Sequence, residues 1–341
     1  MSIPYTLRHH GAIDGVTGSC HQLLLADGRS ILVDCGLFQG AETSADGGAA
    51  GQLEIGFPVE GIQALVLTHV HIDHVGRIPH LLAAGFRGPI ICSEASAVLL
   101  PLVLEDALKV GFTRDETLIR RFLGEIRKQL VPLPYQEWHT VIDGSTRLRV
   151  KLAPAGHILG SASVTLRHGD TSVLVSGDLG RHDHPLLESR DTPPGAGYVL
   201  VESTYGDREH PALCMEDELA PALTHLAAHG GVAVVPVFAV GRAQQLMLAI
   251  ARLKAQNRIP ANLPVYLDSP MAVSATQLLG EHMGAHRLTA AELHTMTQGT
   301  TLVRTTDESK ALARLHGPRV ILAASGMATG GRVLHHLALH A

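Results

Sequence analysis

Over its first 200 residues the chain alternates short apolar runs with glycine-rich turns. The runs SILVDCG (30–36), ALVLTH (64–69), PIICS (89–93), RLRVKLAPA (147–155), SASVTLRHG (161–169) and TSVLVSGD (171–178) are rich in Val, Ile and Leu. Turn formers bound them, so they read as strands. Residues 93–109 and 114–130 read as helices. The second helix mixes Arg114, Arg120, Arg121, Arg127 and Lys128 with acids, the pattern of a solvated helix face. Residues 42–52, ETSADGGAAGQ, read as a small-residue loop.

From about residue 204 the rhythm becomes a regular strand–helix alternation. GVAVVPV (231–237) precedes a helix over 241–256, PVYLD (264–268) one near 270–282, and RVILAAS (319–325) one near 330–340. Such alternation predicts a parallel sheet with covering helices. The chain is therefore expected to be α/β with two domains, 1–205 and 206–341, divided near 203–212 around STYGDREHP. The last predicted helix runs into the C-terminus without a stop signal.

Composition narrows the picture. A chain of 341 residues with 45% hydrophobic residues can bury a core in each of two domains, so disorder is not the default expectation. The formal net charge of −5 argues against holding nucleic acid by surface charge alone. A polyanionic ligand would be gripped locally, by metal, helix N-termini or a few arginines. Cys20, Cys35, Cys92 and Cys214 are scattered, with no C-x-x-C pair, so neither a zinc ribbon nor a disulfide framework is indicated. MSIPYTLRHHGAIDG has no apolar signal region and no run reaches membrane-spanning length, so a cytoplasmic location and no membrane partner are expected. The 22 histidines are unusual, and most, including His9, His10, His335 and His336, read as solvated surface residues.

One run departs from that background. THVHIDHVG (68–76) places His69, His71, Asp73 and His74 between an apolar strand and a predicted helix. Neutral imidazoles and carboxylates are the usual ligands of zinc and related ions. His69 and His71, two apart in extended backbone, can reach one ion, and Asp73 and His74, past the turn, a second. Four ligands cannot saturate two ions. His157 in APAGHILGSA and Asp178 in VSGDLG, where a carboxylate can bridge two metals, are the expected complement. Asp34, ending ILVDCG, is expected to accept a hydrogen bond from a ligand histidine. His182, Asp183 and His184 in GRHDHP read as a solvated loop rather than a further site.

The ordered set Asp34, His69-x-His71-x-Asp73-His74, His157, Asp178 resembles the motifs of the metallo-β-lactamase fold. GVTGSCH (15–21), ESTYGDR (202–208), FAVGRAQQL (238–246) and ASGMATGGR (324–332) resemble segments of its β-CASP group of RNA-processing nucleases, related to the mRNA 3′-end cleavage factor and bacterial RNase J. The resemblance covers essentially the whole chain. It implies a metallo-β-lactamase αββα sandwich with an inserted β-CASP domain, two zinc ions (manganese or iron also fit), and an RNA substrate cut by an activated hydroxide to leave a 5′-phosphate and a 3′-hydroxyl. His69, His71 and His157 would hold one ion and Asp73 and His74 the other, with Asp178 bridging. Asp73 could also orient the hydroxide, and Glu202 would match the acid that opens the β-CASP domain and assist the leaving oxygen. Family members continue past the helix matching 330–340 with further histidine-bearing segments, so the chain is expected to be a fragment. Its second ion would then be weakly held, and exposed apolar surface would invite homo-oligomeric association.

In the second domain FAVGRAQ, LDSPMA and ASGMATGG each follow a strand and open a helix, so all three should share one edge of a parallel sheet. Helix N-termini there, with Arg242, Ser325 and Gly326, are expected to bind substrate phosphates. Two rival functions carry different expectations. A metal-dependent hydrolase of another ester or thioester would use the same metal pair without needing the second domain. A non-catalytic RNA-binding scaffold would hold less metal.

Overall fold

The computed structural model describes residues 5–39, 53–209, 214–328 and 330–340, so the loop expected at 42–52 lies outside the described residues. The chain separates into two compact units, Met1–His184 with Ser189–Gly206, and Pro185–Glu188 with Asp207–Ala341.

In the first unit two sheets face each other. One has strand order β1 (Tyr5–Gly11), β2 (Cys20–Leu25), β3 (Ser30–Val33), β4 (Ile62–Val66), β5 (Ile90–Ser93), β6 (Leu130–Leu133). The other has the order β11 (Tyr198–Leu200), β10 (Thr171–Val175), β9 (Ala162–His168), β8 (Leu148–Pro154), β7 (Trp138–Ile142). β1 to β3 pair antiparallel and β3 to β6 parallel. Alternation explains the core. Leu23, Leu25, Ile31, Val33 and Val66 of the first sheet pack on Leu148, Val150, Leu152, Val164 and Val173 of the second. Helices α1 (Ile72–Val75), α2 (Ile78–Ala83), α3 (Glu94–Gly111) and α4 (Glu116–Gln129) follow strands of the first sheet. α4 starts where Asp115 accepts hydrogen bonds from the Thr117 and Leu118 amides. It buries Ile119, Leu123 and Ile126, one stripe of a 3.6-residue period, and leaves its charges in water.

The second unit has a four-stranded sheet ordered β12 (Val232–Pro236), β15 (Arg319–Ala323), β13 (Val265–Asp268), β14 (Thr301–Val303), with every pairing parallel. α5 (Met215–His229), α6 (Arg242–Ala255), α7 (Pro270–Glu281), α8 (Ala290–Gln298), α9 (Thr306–Leu312) and α10 (Arg332–His340) alternate with these strands. β1, β2, β6, β7, β11 and β14 carry weaker apolar alternation and escape a sequence reading. β14 is only three residues long and β6 contains Pro132.

Candidate metal centre

The site grows from the end of β4. Leu67, Thr68 and His69 follow the strand and are buried, so His69 has no route to solvent and its imidazole must find polar company. His69 Nε2 lies 3.1 Å from His71 Nδ1. His71 is extended (φ −63°, ψ 151°) and caps α1. Asp73 and His74 lie within α1 itself, not in the loop that the sequence suggests. A helical turn begins at Ile72 because the His71 carbonyl accepts from the His74 and Val75 amides.

His157 arrives from the connection between β8 and β9. Ser161 Oγ accepts from the His157 and Ile158 amides, and the Gly160 carbonyl accepts from both Ser93 Oγ and Ser96 Oγ at the start of α3. The loop is thereby fastened to the first sheet, and His157 Nε2 comes to 3.1 Å from His71 Nδ1.

Asp178 follows β10. Its two carboxylate oxygens face different neighbours. Oδ2 lies 3.7 Å from His69 Nε2 and 3.4 Å from His157 Nε2, while Oδ1 lies 3.2 Å from His74 Nε2. His69, His71, His157 and Asp178 thus present one donor atom each, all within 4.8 Å of one another. Ligands about 2.0–2.1 Å from a tetrahedral ion stand about 3.4 Å apart, so this donor set fits a divalent ion. A second group consists of His74 Nε2, Asp178 Oδ1 and Asp73 Oδ2, the last 3.8 Å from His74 Nε2.

Asp34 lies beneath the second group. It is 1% exposed, and its Oδ2 is 2.8 Å from His74 Nδ1. It also accepts from the Thr68 amide, Thr68 Oγ1 and Ser19 Oγ. A carboxylate there holds a proton on Nδ1 and aims Nε2 at Asp178. Ser19 and Thr68 are not legible as site residues, although they sit inside the runs GVTGSCH and THVHIDHVG. Close packing is obligatory here, because a Cβ on Gly36 would fall 1.5 Å from the Asp73 carbonyl oxygen.

Burial pushes His69 well below the ordinary histidine range, and His157 down to about 4. Both are therefore neutral and able to ligate. Burial opposes the charge on His74 too, but Asp34 and Asp178 win and raise it well above that range. Burial likewise works against Asp178, yet its bond to His74 and the surrounding imidazoles bring it down to about 2. Asp73 is raised, chiefly by burial.

Glu202, just after β11, lines a cavity of 450 Å³ with Asp34, His74 and Asp178. Its carboxylate accepts from the Thr204 amide at 3.0 Å and the Leu179 amide at 3.4 Å, and its own amide donates to Ser176 Oγ. These bonds anchor it beside the segment that carries Asp178. In the GRHDHP loop Arg190 meets His182 and Arg181 pairs with Asp183. His184 is buried rather than solvated.

In the second unit the loops after β12, β13 and β15 share the carboxyl edge of the parallel sheet. Arg242 opens α6 and is exposed. Ser325 and Gly326 lie between β15 and α10, and a Cβ on Gly326 would fall 2.7 Å from the Phe238 ring. His336 is not the solvated residue that the sequence suggests. It is 3% exposed and bonds at 2.6 Å to Asp268, a fully buried carboxylate that also accepts from Arg332 and Ser309. Partners 68 positions apart in sequence leave no local signature.

Two facing sheets with a histidine–aspartate cluster at the strand ends, joined to a parallel α/β unit, define a two-unit metallo-hydrolase scaffold. Residues 15–218 match the metallo-beta-lactamase superfamily and residues 243–341 the Beta-Casp domain, and the chain belongs to that superfamily. It is 40% identical to "Ribonuclease TTHA0252" of Thermus thermophilus, over 96% of this chain and 74% of that protein. It is 31% identical to "Transcription termination factor FttA" of Cenarchaeum symbiosum, over 96% of this chain and 52% of that one. The crystal structure of a protein of unknown function from Enterococcus faecalis V583 shares the fold, with a TM-score of 0.54 and 15% identity over 94% of this chain and 77% of that one. Among the described residues no helix is long and apolar enough to cross a membrane.

Proposed function

We propose that this chain is a cytoplasmic metal-dependent ribonuclease that hydrolyses an RNA phosphodiester to a 5′-phosphate and a 3′-hydroxyl. The observation that carries the reading is the division of Asp178, with Oδ2 against His157 and His69 and Oδ1 against His74. The ribonuclease name of the Thermus relative supports RNA as the substrate. His69, His71, His157 and Asp178 would hold one divalent ion, and Asp73, His74 and Asp178 a second. The histidine-rich shell favours zinc for the pair, and manganese or iron would also fit. When bound, such a pair lowers the pKa of a shared water and neutralises charge gathering on a phosphate.

The chain's own groups supply the remainder. Asp73, raised by burial, accepts a hydrogen bond from the attacking water and orients it. Glu202, held by two backbone amides, would assist proton transfer to the leaving 3′ oxygen. Arg242, Ser325 and the Gly326 amide would bind phosphates of the RNA. The test is His71→Ala, which removes a donor lying 3.1 Å from two other imidazoles. Bound metal should fall and cleavage of an RNA oligonucleotide should be lost, with the circular dichroism spectrum retained. Full cleavage at an unchanged metal count would overturn the assignment.

A further inference from the structure

The second sheet of the first unit turns an unusual face outward. Leu148, Val150 and Leu152 of β8 point into the core, so Arg149 and Lys151 point the other way. Trp138, the sole tryptophan of the chain, pairs across from Lys151 on β7. The Arg149 guanidinium stands 5.0 Å, and the Lys151 ammonium 5.2 Å, from the centre of its ring. Trp138 is 36% exposed despite that cover. On the other side of β8, Arg149 faces Arg167 of β9 directly. Like charges directly opposite on a sheet repel. Among the described residues no carboxylate forms an ion pair with Arg149, Lys151 or Arg167, although the chain as a whole is acidic.

We infer that this face is a binding platform for single-stranded RNA, outside the metal centre. The inference rests on the ribonuclease reading, and it adds a docking surface to it. Three unpaired cations repel one another until a polyanion lies across them, and the overall acidity of the chain makes the patch a local exception. Arg149 and Lys151 are two residues apart on one strand, about 7 Å, so they project side by side along an extended backbone. A tryptophan flanked by cations adds what a phosphate chain alone does not require, a face on which a base of any sequence can stack. An acidic peptide would satisfy the cations but leave the ring without a planar partner.

The sole tryptophan is the reporter. The full chain is titrated with a uridine homopolymer in EDTA, so that nothing is cut, while indole fluorescence is followed. Saturable quenching is expected. Trp138→Ala should bind about tenfold more weakly, the lower end of what stacking on an aromatic contributes. Arg149→Ala with Lys151→Ala, which leaves the core side chains in place, should flatten the plot of log affinity against log salt. The change expected is about 1.4 units, two single-strand phosphate contacts. None of these changes should alter metal content. Unquenched fluorescence at saturating RNA, or an unchanged salt slope in the double variant, overturns the platform. Equal quenching by polyglutamate would make it an acidic-peptide surface instead. If the metal-loaded protein cleaves RNA while the tryptophan stays silent, only the platform fails. If it neither binds nor cleaves RNA, the ribonuclease reading fails with it.

Discussion

Asp34 and His74, forty positions apart, meet at 2.8 Å through a buried carboxylate oxygen and the Nδ1 of the imidazole. That contact decides which nitrogen of His74 is left for an ion. Asp34→Ala should therefore leave the first ion in place and weaken the second by about 10- to 100-fold, as loss of a carboxylate behind a ligand histidine typically does. Equilibrium dialysis with elemental analysis would check it. Equal loss of both ions would contradict the division of ligands.

The two groups should also load at different pH. His69 is lowered and His157 stands at about 4, so both are neutral across the physiological range and protons compete with metal only below it. His74 is raised, so without metal it carries a proton at neutral pH that an ion must displace. The first ion should persist as pH falls from 7.5 to 5.5, while the second should weaken and its binding should release protons. Calorimetry in buffers of different ionisation enthalpy measures the proton count. A second-ion enthalpy independent of buffer would contradict the prediction.

Gly36→Ala should disable the second group without replacing any ligand side chain. The added methyl would have to occupy the position of the Asp73 carbonyl, 1.5 Å away, so the start of α1 must move. Bound metal should fall below that of the parent protein, and cleavage should fall about 100-fold, the cost typical of a small misplacement near the chemistry. Parent-like metal content and activity would show that the corner is more pliable than its packing implies.

Asp268→Ala should act on the second unit alone. It leaves His336 buried, and Arg332 largely buried, without their carboxylate, a loss that costs about 3–5 kcal/mol for a buried pair. Thermal unfolding of that unit should shift down, with metal content preserved. A similar shift with Ser309→Ala, which removes only one neutral donor, would point to packing rather than charge.

Local pattern carried a good deal of this protein. The six proposed donors stand in runs whose order and spacing are visible without coordinates, because strand ends and tight turns place neighbouring residues by backbone geometry alone. Apolar runs located β3, β4, β5, β8, β9, β10, β12, β13 and β15, since alternation and burial are local consequences of side-chain type. Position relative to a turn was less legible, so Asp73 and His74 were expected before a helix that in fact contains them. What only the tertiary structure decided depends on groups distant in sequence. The choice of His74 Nε2 follows from Asp34, the inward turn of His157 from Ser93 and Ser96, and the burial of His336 from Asp268. The division of Asp178 between two groups is likewise set by which imidazoles arrive on either side of it. A linear sequence states which donors exist, but hydrogen bonds across the fold determine which lone pair each donor presents, and to what.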